Sequence, residues 1–198
     1  MELYEAHDGM TPLDAQEQEG LKSPAIATRD DLNTAEKANI SKAESWAKRQ
    51  LKKDILSSSF LCEVHRRMFT DVWTWAGEYR RSGKNIGVDA YRIPTELIAR
   101  LNDTRYQLEN SVYSVSEIAA RLHHQLVYIH PFPDGNGRHA RLIADLLMLQ
   151  QKEKPFTWGQ DGGETDLQAR SENRKQYITA LRAADEHNID PLLKFVHS

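Results

Sequence analysis

The stretch HPFPDGNGRHAR, from His130 to Arg141, decides how this sequence is interpreted. It interrupts a helical pattern with a histidine, two prolines, an acid and two glycines, and a new helical pattern begins directly after Gly135-Asn136-Gly137. Glycines let successive N–H groups point into one concavity, and the first turn of a helix adds unpaired N–H donors. The stretch therefore predicts an anion-binding loop at the start of a helix.

Charged side chains extend this prediction from an anion to a phosphate chain. Arg138 and Arg141 are three residues apart, so both project from about the same face of the first helical turn, where cations oppose the macrodipole unless an anion is bound. An acid beside phosphates, Asp134, repels them unless a hard cation bridges the two, which predicts Mg²⁺. His130 is suited to act as a general base near neutral pH.

Taken singly, these residues have ordinary structural explanations: His130 as a helix C-cap, Asp134 as a turn residue and the arginines as solvated side chains. Their concentration in twelve residues favours a functional site. A metallohydrolase is the other hypothesis that the histidines raise. Adjacent histidines point to different helix faces and no H-E-x-x-H pattern is present, so this hypothesis is disfavoured. It would use His123, His124, His130 and His139.

Periodicity predicts an all-α fold, a helical bundle with one small β-hairpin flap. Helical patterns include one from Asn33 towards Ile55, one capped by Ser59 and one capped by Ser116. Residues 80–94, here called the flap, contain Gly83 and Gly87 and show no helical period, which predicts a hairpin or extended segment. Residues 156–166 are polar and glycine-rich and predict a surface loop. The apolar face of the first helix is predicted at Ala35, Ala38, Ala43, Trp46, Ala47, Leu51 and Ile55, and that of the helix after the flap at Leu97, Ile98, Leu101 and Leu108.

Composition limits the class of protein. The 198 residues are 39% hydrophobic and 28% charged, as in ordinary globular proteins, and the net charge of −3 gives no indication of nucleic-acid or membrane binding. The single cysteine, Cys62, excludes an internal disulfide and fits a reducing compartment. No apolar run approaches the ~20 residues of a membrane span, and the acidic N-terminus does not resemble a secretory signal. A soluble, cytoplasmic protein is expected.

The segment HPFPDGNGR resembles the signature of the Fic (filamentation induced by cAMP) family, H-P-F-x-[D/E]-G-N-G-R, at every specified position. Arg141 matches a second arginine that often follows it, and the similarity extends over about residues 35–185, including AGEYRRSGKNIG and a later N-R-x-x-Y. The wider pattern resembles a bacterial subgroup called mobile mystery protein B. The resemblance implies a Fic domain over 33–198, preceded by an N-terminal segment, 1–32, with a short helix that could have a regulatory role.

The resemblance also implies an activity: a protein adenylyltransferase that moves AMP from ATP, with Mg²⁺, to a Ser, Thr or Tyr hydroxyl of a target protein. The implied roles are base for His130, metal ligand for Asp134, anion hole for Gly135, Asn136 and Gly137, phosphate binding for Arg138 and Arg141, and target binding for Lys84, Asn85 and Ile86 in the flap. Partners implied are the target protein, an antitoxin or regulatory protein, and a second copy in a homodimer.

Two alternatives remain open at this stage. Related phosphotransferases and phosphocholine transferases, which transfer another nucleotide-derived group, share the fold, although the former commonly carry lysine at the position of Gly137. A nucleotide-binding partner in a toxin–antitoxin pair is the non-enzymatic alternative. Many Fic proteins are silenced by a helix with the pattern [S/T]-x-x-x-E-[G/N], whose glutamate pairs with the second arginine. Glu19-Gly20 fits the end of this pattern with Ala15 at its start, and Glu172-Asn173 fits with Gln168, so Glu19 is the candidate inhibitory residue.

Overall fold

A computed structural model describes residues 13–159 and 172–198. These ranges contain eight α-helices and two short 3₁₀ turns, Lys48–Gln50 and Ala90–Arg92. They hold no β-strand, only an isolated bridge between Leu21 and Trp73. The helices are α1 (Ala15–Gln18), α2 (Arg29–Ala47), α3 (Ser58–Phe69), α4 (Ile93–Glu109), α5 (Val115–Ile129), α6 (Asn136–Gln150), α7 (Glu172–Asp185) and α8 (Asp190–Val196). The predicted helical class is confirmed.

Side-chain caps set the starts of four helices, and three of these starts differ from the prediction. Thr28 and Asp31 form a capping box, so α2 begins before Asn33, and the predicted boundary between residues 32 and 33 falls inside this helix. Ser57, not Ser59, caps α3, and Ser114, not Ser116, caps α5. The short α1 has Asp14 as its N-cap.

The core lies around α5 and α6, the two helices that flank the motif. The helix α6 is buried on nearly every side, as its almost continuous run of apolar residues from Ala140 to Leu149 favours, and the apolar face of α5 is buried. Because α5 also contacts α4, α7 and α8, the segment that joins it to α6 rests on the most enclosed part of the molecule. The buried α5 face consists of Ile118, Ala119, Leu122, Leu126 and Ile129.

Two predicted apolar faces were partly wrong. On α2 the buried positions follow Leu32, Glu36, Asn39 and Ala43, whereas Ala38 is exposed. Glu36 is buried on this face, where it accepts a hydrogen bond and forms an ion pair with the motif. Apolar periodicity does not detect such polar contacts, so the buried face differs from the predicted one. The helix also ends at Ala47 in a 3₁₀ turn instead of continuing to residue 55. On α4, Ile98 is 52% exposed.

The flap is not a β-hairpin. Instead, the guanidinium of Arg80 donates hydrogen bonds to the carbonyls of Ser82 and Val88 within the flap, so these acceptors are bonded to a side chain and not to a facing strand. The flap then ends in the 3₁₀ turn and the first turn of α4, which contains Pro94. Part of the loop predicted at 156–166 lies outside the described residues, because these stop at 159.

Within the described ranges, no helix is both long and apolar enough to cross a membrane.

Candidate functional site

Asn136 holds the motif loop, residues 130–137, in a closed shape. Its side-chain oxygen accepts from the Phe132 N–H at 2.9 Å, and its side-chain nitrogen donates to the Phe132 carbonyl at 2.8 Å. The Phe132 ring is fully buried and stacks on His65 with 3.7 Å between ring centroids. One amide and one ring therefore fix the loop on the core before any ligand binds.

His65, on α3, is a positioning residue that sequence reasoning missed. Its Nδ1 accepts from the Gly77 N–H at 2.9 Å, so its Nε2 carries the proton and donates to the Asp134 carbonyl at 3.0 Å. Burial and the neighbouring His139 lower the pKa of His65 well below its usual value, so the ring stays neutral. Asp134 lies 69 positions after His65 in the chain, so no local sequence pattern indicates this hydrogen bond.

Gly135 begins α6 in a conformation that favours glycine. Its φ is +78°, and a Cβ there would lie 2.4 Å from the Phe69 ring. No described side chain caps this helix, so its first-turn N–H groups are available to an anion.

The two motif arginines have different surroundings. Arg138 forms ion pairs with Glu36 of α2 and, at 3.3 Å, with Asp134. Burial disfavours its charge, but the two carboxylates outweigh burial and raise its pKa. Glu36 also accepts from the Trp73 indole N–H at 2.8 Å, and its side chain is 2% exposed. Sequence reasoning missed Glu36, because a glutamate in an amphipathic helix carries no signal of a buried partner.

Arg141 pairs with no carboxylate among the described residues. Its guanidinium hydrogen-bonds the Tyr177 hydroxyl, which lies 3.0 Å from His123 Nε2. Burial, with the charge of Arg138 nearby, lowers the pKa of Arg141. Among the described residues, two carboxylates already compensate the charge of Arg138, whereas none pairs with Arg141. The charge of Arg141 is therefore the one more available to a bound phosphate.

His130 ends α5 in the left-handed region, with φ +53°. The residue is 7% exposed, and its Nδ1 lies 3.4 Å from the Val127 carbonyl, an acceptor, which makes Nε2 the basic nitrogen. Burial lowers the pKa of His130 to about 4, with a further lowering by the cations Arg80 and Lys84. The imidazole is therefore neutral at pH 7 and able to accept a proton.

The flap lies against this histidine. A Cβ at Gly87, whose φ is +97°, would lie 2.7 Å from the Cβ of His130, so the two backbones approach as closely as glycine allows. Asn85 and Ile86 are exposed, as expected of residues that contact a target. Lys84 is not: its side chain is 3% exposed and pairs with Glu17 of α1.

The motif and the flap enclose one cleft of about 430 Å³. Seven motif residues of the prediction line it together with Ile86, and α7 supplies the opposite wall with apolar and basic side chains. The motif residues are His130, Asp134, Gly135, Asn136, Gly137, Arg138 and Arg141. The α7 residues are Arg174, Tyr177, Ile178, Leu181, Arg182 and Asp185. The sequence thus predicted one wall of the cleft and missed most of the other.

The histidines of the metallohydrolase hypothesis do not share one centre. His123 contacts Tyr177, His124 contacts Asp185 at 2.8 Å, and His139 contacts the Leu61 carbonyl at 3.0 Å. Across residues 13–159 and 172–198, no group of three or more His, Cys, Asp or Glu side chains could hold a metal ion. A Mg²⁺ that arrives with a nucleotide needs fewer protein ligands, because phosphate oxygens and water complete its shell. Of the two aspartates that line the cleft, Asp134 lies in the motif loop beside the first turn of α6 and fits this donor set.

Glu19 does not reach Arg141 in this structure. It is the C-cap of α1, is exposed and forms no ion pair with a described residue. Two residues earlier, Glu17 points inward and contacts the flap through Lys84 and through Ser82, whose hydroxyl is 3.2 Å away. Glu172 pairs with Lys175 on the surface of α7.

Residues 55–148 match the model of the Fic/DOC family. With the helical fold and the closed motif loop described above, this match identifies residues 55–148 as a domain similar to the Fic/DOC family. The finer resemblance to mobile mystery protein B stays a prediction.

Curated relatives carry the name protein adenylyltransferase Fic. The one from Aedes aegypti is 29% identical over 149 residues, which cover 73% of this chain and 28% of the relative. The one from Drosophila grimshawi is 32% identical over 149 residues, which cover 73% of this chain and 27% of the relative. The chain thus spans less than a third of the length of these relatives.

Solved Fic structures show the same fold. BepC of Bartonella tribocorum, solved with bound AMPPNP, aligns with a TM-score of 0.66 at 18% identity and covers 93% of this chain and 97% of its own. A Fic domain containing signaling protein from Bacteroides thetaiotaomicron aligns with a TM-score of 0.64 at 19% identity, covering 80% of this chain and 67% of its own. Fic-1 from C. elegans aligns with a TM-score of 0.61 at 24% identity, covering 91% of this chain and 51% of its own.

Proposed function

We propose that this protein is an adenylyltransferase that transfers AMP from ATP to a hydroxyl side chain of a target protein. The observation that carries the proposal is the position of a neutral, buried imidazole, His130, in the same cleft as the first turn of α6 and its arginines. The cleft therefore joins a base to an anion site. The name protein adenylyltransferase Fic of the curated relatives supports the choice of AMP as the transferred group.

In the proposed reaction, His130 Nε2 takes the proton of the target hydroxyl as its oxygen attacks the α-phosphorus of ATP. The bond from the α-phosphorus to the oxygen that bridges to the β-phosphorus breaks, and pyrophosphate leaves. The αL conformation at His130 and the close approach of Gly87 restrict the ring to one place at the cleft wall. A fixed base lowers the entropic part of the barrier.

The other motif residues would compensate the negative charge of the phosphates. The N–H groups of the first turn of α6 would bind phosphate oxygens, and Arg141, which has no carboxylate partner in the described chain, would bind the leaving phosphates. Arg138 would contribute from the same turn while held by Glu36. Asp134 would hold Mg²⁺ together with phosphate oxygens, and that ion supplies further compensation for the charge on pyrophosphate.

A phosphotransferase of the same fold is the second candidate, and the surroundings of Gly137 favour AMP transfer over it. A Cβ at this position would meet the Tyr177 hydroxyl at 3.7 Å and the Arg141 Nη1 at 3.9 Å, both ordinary contacts. A long side chain such as lysine would therefore extend towards Tyr177 and Arg141 and occupy phosphate space. Glycine leaves that space to the nucleotide.

The target would dock on the exposed part of the flap, at Asn85 and Ile86, and present a Ser, Thr or Tyr hydroxyl to His130. An extended target segment beside an extended flap suits main-chain pairing, which tolerates many sequences. An antitoxin and a homodimer partner stay predictions.

Differential labelling tests the proposal. The protein is incubated with Mg²⁺, a lysate and either [α-³²P]ATP or [γ-³²P]ATP, and label is counted on separated proteins. AMP transfer puts only the α label on protein and releases pyrophosphate. Exclusive transfer of the γ label would assign the protein to the phosphotransferases and overturn the proposal.

A further inference from the structure

Arg80, at the start of the flap, is a buried cation whose hydrogen bonds go to main-chain carbonyls of two separate segments. The residue is 3% exposed. Its Nε donates to the His130 carbonyl at 2.6 Å and its Nη1 to the Ser82 carbonyl at 2.8 Å. Its Nη2 donates to the Val88 carbonyl and, at 3.4 Å, to the Ile129 carbonyl. One guanidinium thus joins two points of the flap, Ser82 and Val88, to the end of α5.

This arrangement differs from an ordinary buried arginine, because no carboxylate in the described chain forms an ion pair with Arg80. Burial lowers its pKa, and the carboxylates of Glu17 and Asp89 counter this only at longer range. A buried cation without a paired anion is costly unless hydrogen bonds satisfy it, and here four carbonyls do so. The planar fork of a guanidinium also fixes the relative directions of the groups that it joins, which a single ammonium cannot do.

Arg80 joins the segment that contains the base, His130, to the flap, which would present the target hydroxyl. The Arg80 N–H donates to the Pro131 carbonyl at 2.9 Å, and the Val88 N–H donates to the Ile129 carbonyl at 3.4 Å, so main-chain bonds run beside the side-chain bonds. Between them, Gly87 contacts both His130 and the Arg80 guanidinium, at 2.7 and 2.8 Å from its virtual Cβ. The hydrogen bond from Arg80 to the His130 carbonyl thus holds the main chain of a residue in the left-handed conformation.

We propose that Arg80 is a positioning residue that fixes the flap and the His130 main chain in one geometry, so that a target hydroxyl docked on the flap reaches the base. This rests on the proposed function, because the base and the docked hydroxyl are its parts. Arg80 acts through His130 and the flap, and it does not line the nucleotide cleft. Its loss therefore slows transfer while ATP still binds at α6.

Hydrogen exchange tests the structural half of the proposal without any transferase assay. In Arg80→Ala, amide exchange should rise by tenfold or more in peptides that cover 82–88 and 129–131 and stay at the wild-type rate in α2 and α8. Arg81→Ala is the matched control, because the Arg81 side chain is 91% exposed and, among the described residues, forms an ion pair only with Glu78, at 3.5 Å. If the amide exchange rate of residues 82–88 in Arg80→Ala equals that of wild type, or if exchange rises in every helix, the proposal is overturned.

Kinetics with Arg80→Lys test the catalytic half. Lysine keeps a positive charge beside His130 but cannot span carbonyls on the flap and on α5 together. At saturating ATP, label from [α-³²P]ATP should reach lysate proteins about tenfold or more slowly in both Arg80→Ala and Arg80→Lys, with the KM for ATP and AMPPNP binding within twofold of wild type. Full rescue by lysine would show that charge and not geometry matters, and loss of AMPPNP binding would show a general structural role; either result overturns the proposal. If wild type itself transfers no label, the proposed function fails, and hydrogen exchange alone then decides whether Arg80 holds the flap.

Discussion

The two sides of the cleft are held in place by different means. The phosphate side, residues 131–141, is closed by contacts within one stretch of sequence, from Asn136 to Phe132 and from Gly135 into α6, to which His65 and Glu36 add contacts from α3 and α2. The flap side depends on side chains that reach across the molecule: Arg80 to the end of α5, and Glu17 of α1 to Lys84. The comparison indicates that the shape of the anion loop is set first by local contacts, whereas the position of the flap is set by long-range side-chain contacts that can be removed one at a time.

Gly135→Ala should break the phosphate side and give the largest effect. The new Cβ would lie 2.4 Å from the fully buried Phe69 ring at a residue whose φ is +78°. Strain and overpacking together should cost about 3 kcal/mol or more of unfolding free energy. We expect loss of AMPPNP binding by calorimetry and a lower midpoint of urea unfolding.

Gly83→Ala is the matched control for this change, because a Cβ there meets nothing within 4 Å. Its unfolding midpoint and its AMPPNP affinity should equal those of wild type. Unchanged stability and binding in Gly135→Ala would contradict the description of a preformed loop.

Gly87→Ala should break the flap side without breaking the phosphate side. The added methyl group would lie 2.7 Å from the Cβ of His130 and would push the flap away from the base. Transfer from [α-³²P]ATP should fall by about tenfold or more, since misplacement of about 1 Å can cost 10²-fold. AMPPNP binding should stay within a few-fold of wild type; equal losses of binding and transfer would show that the two sides are not separable.

Glu17→Gln should give a smaller effect on the same side. The carboxylate of Glu17 faces the ammonium of Lys84, whose side chain is 3% exposed, so removal of its charge should cost about 1–3 kcal/mol and raise exchange at residues 82–86. Glu19→Gln, two residues away and exposed, should change neither stability nor transfer. A large rise in transfer by Glu19→Gln alone would instead support the inhibitory role that the sequence suggested for Glu19.

The difference between local and long-range contacts also explains what the sequence could predict. The helical class, the burial of α6 and the anion-binding loop follow from local patterns, because periodicity and the Gly-Asn-Gly step are short-range features. Glu36, His65, Arg80 and Tyr177 act across 37 to 102 positions of sequence, and nothing near each of them marks its partner. The hairpin prediction for the flap was wrong for the same reason, because a side chain and not a second strand bonds its carbonyls.

The most direct test of the central claim is His130→Ala assayed with [α-³²P]ATP, because only the base is removed from a cleft otherwise intact. General-base catalysis contributes about 10²–10⁴-fold, so transfer of the α label to protein should fall by that amount. Circular dichroism and AMPPNP titration should match wild type, since the phosphate side is held by Asn136 and Gly135. His187→Ala, at a surface histidine far along the chain, serves as the control and should transfer at the wild-type rate. Robust α-label transfer by His130→Ala would contradict the account.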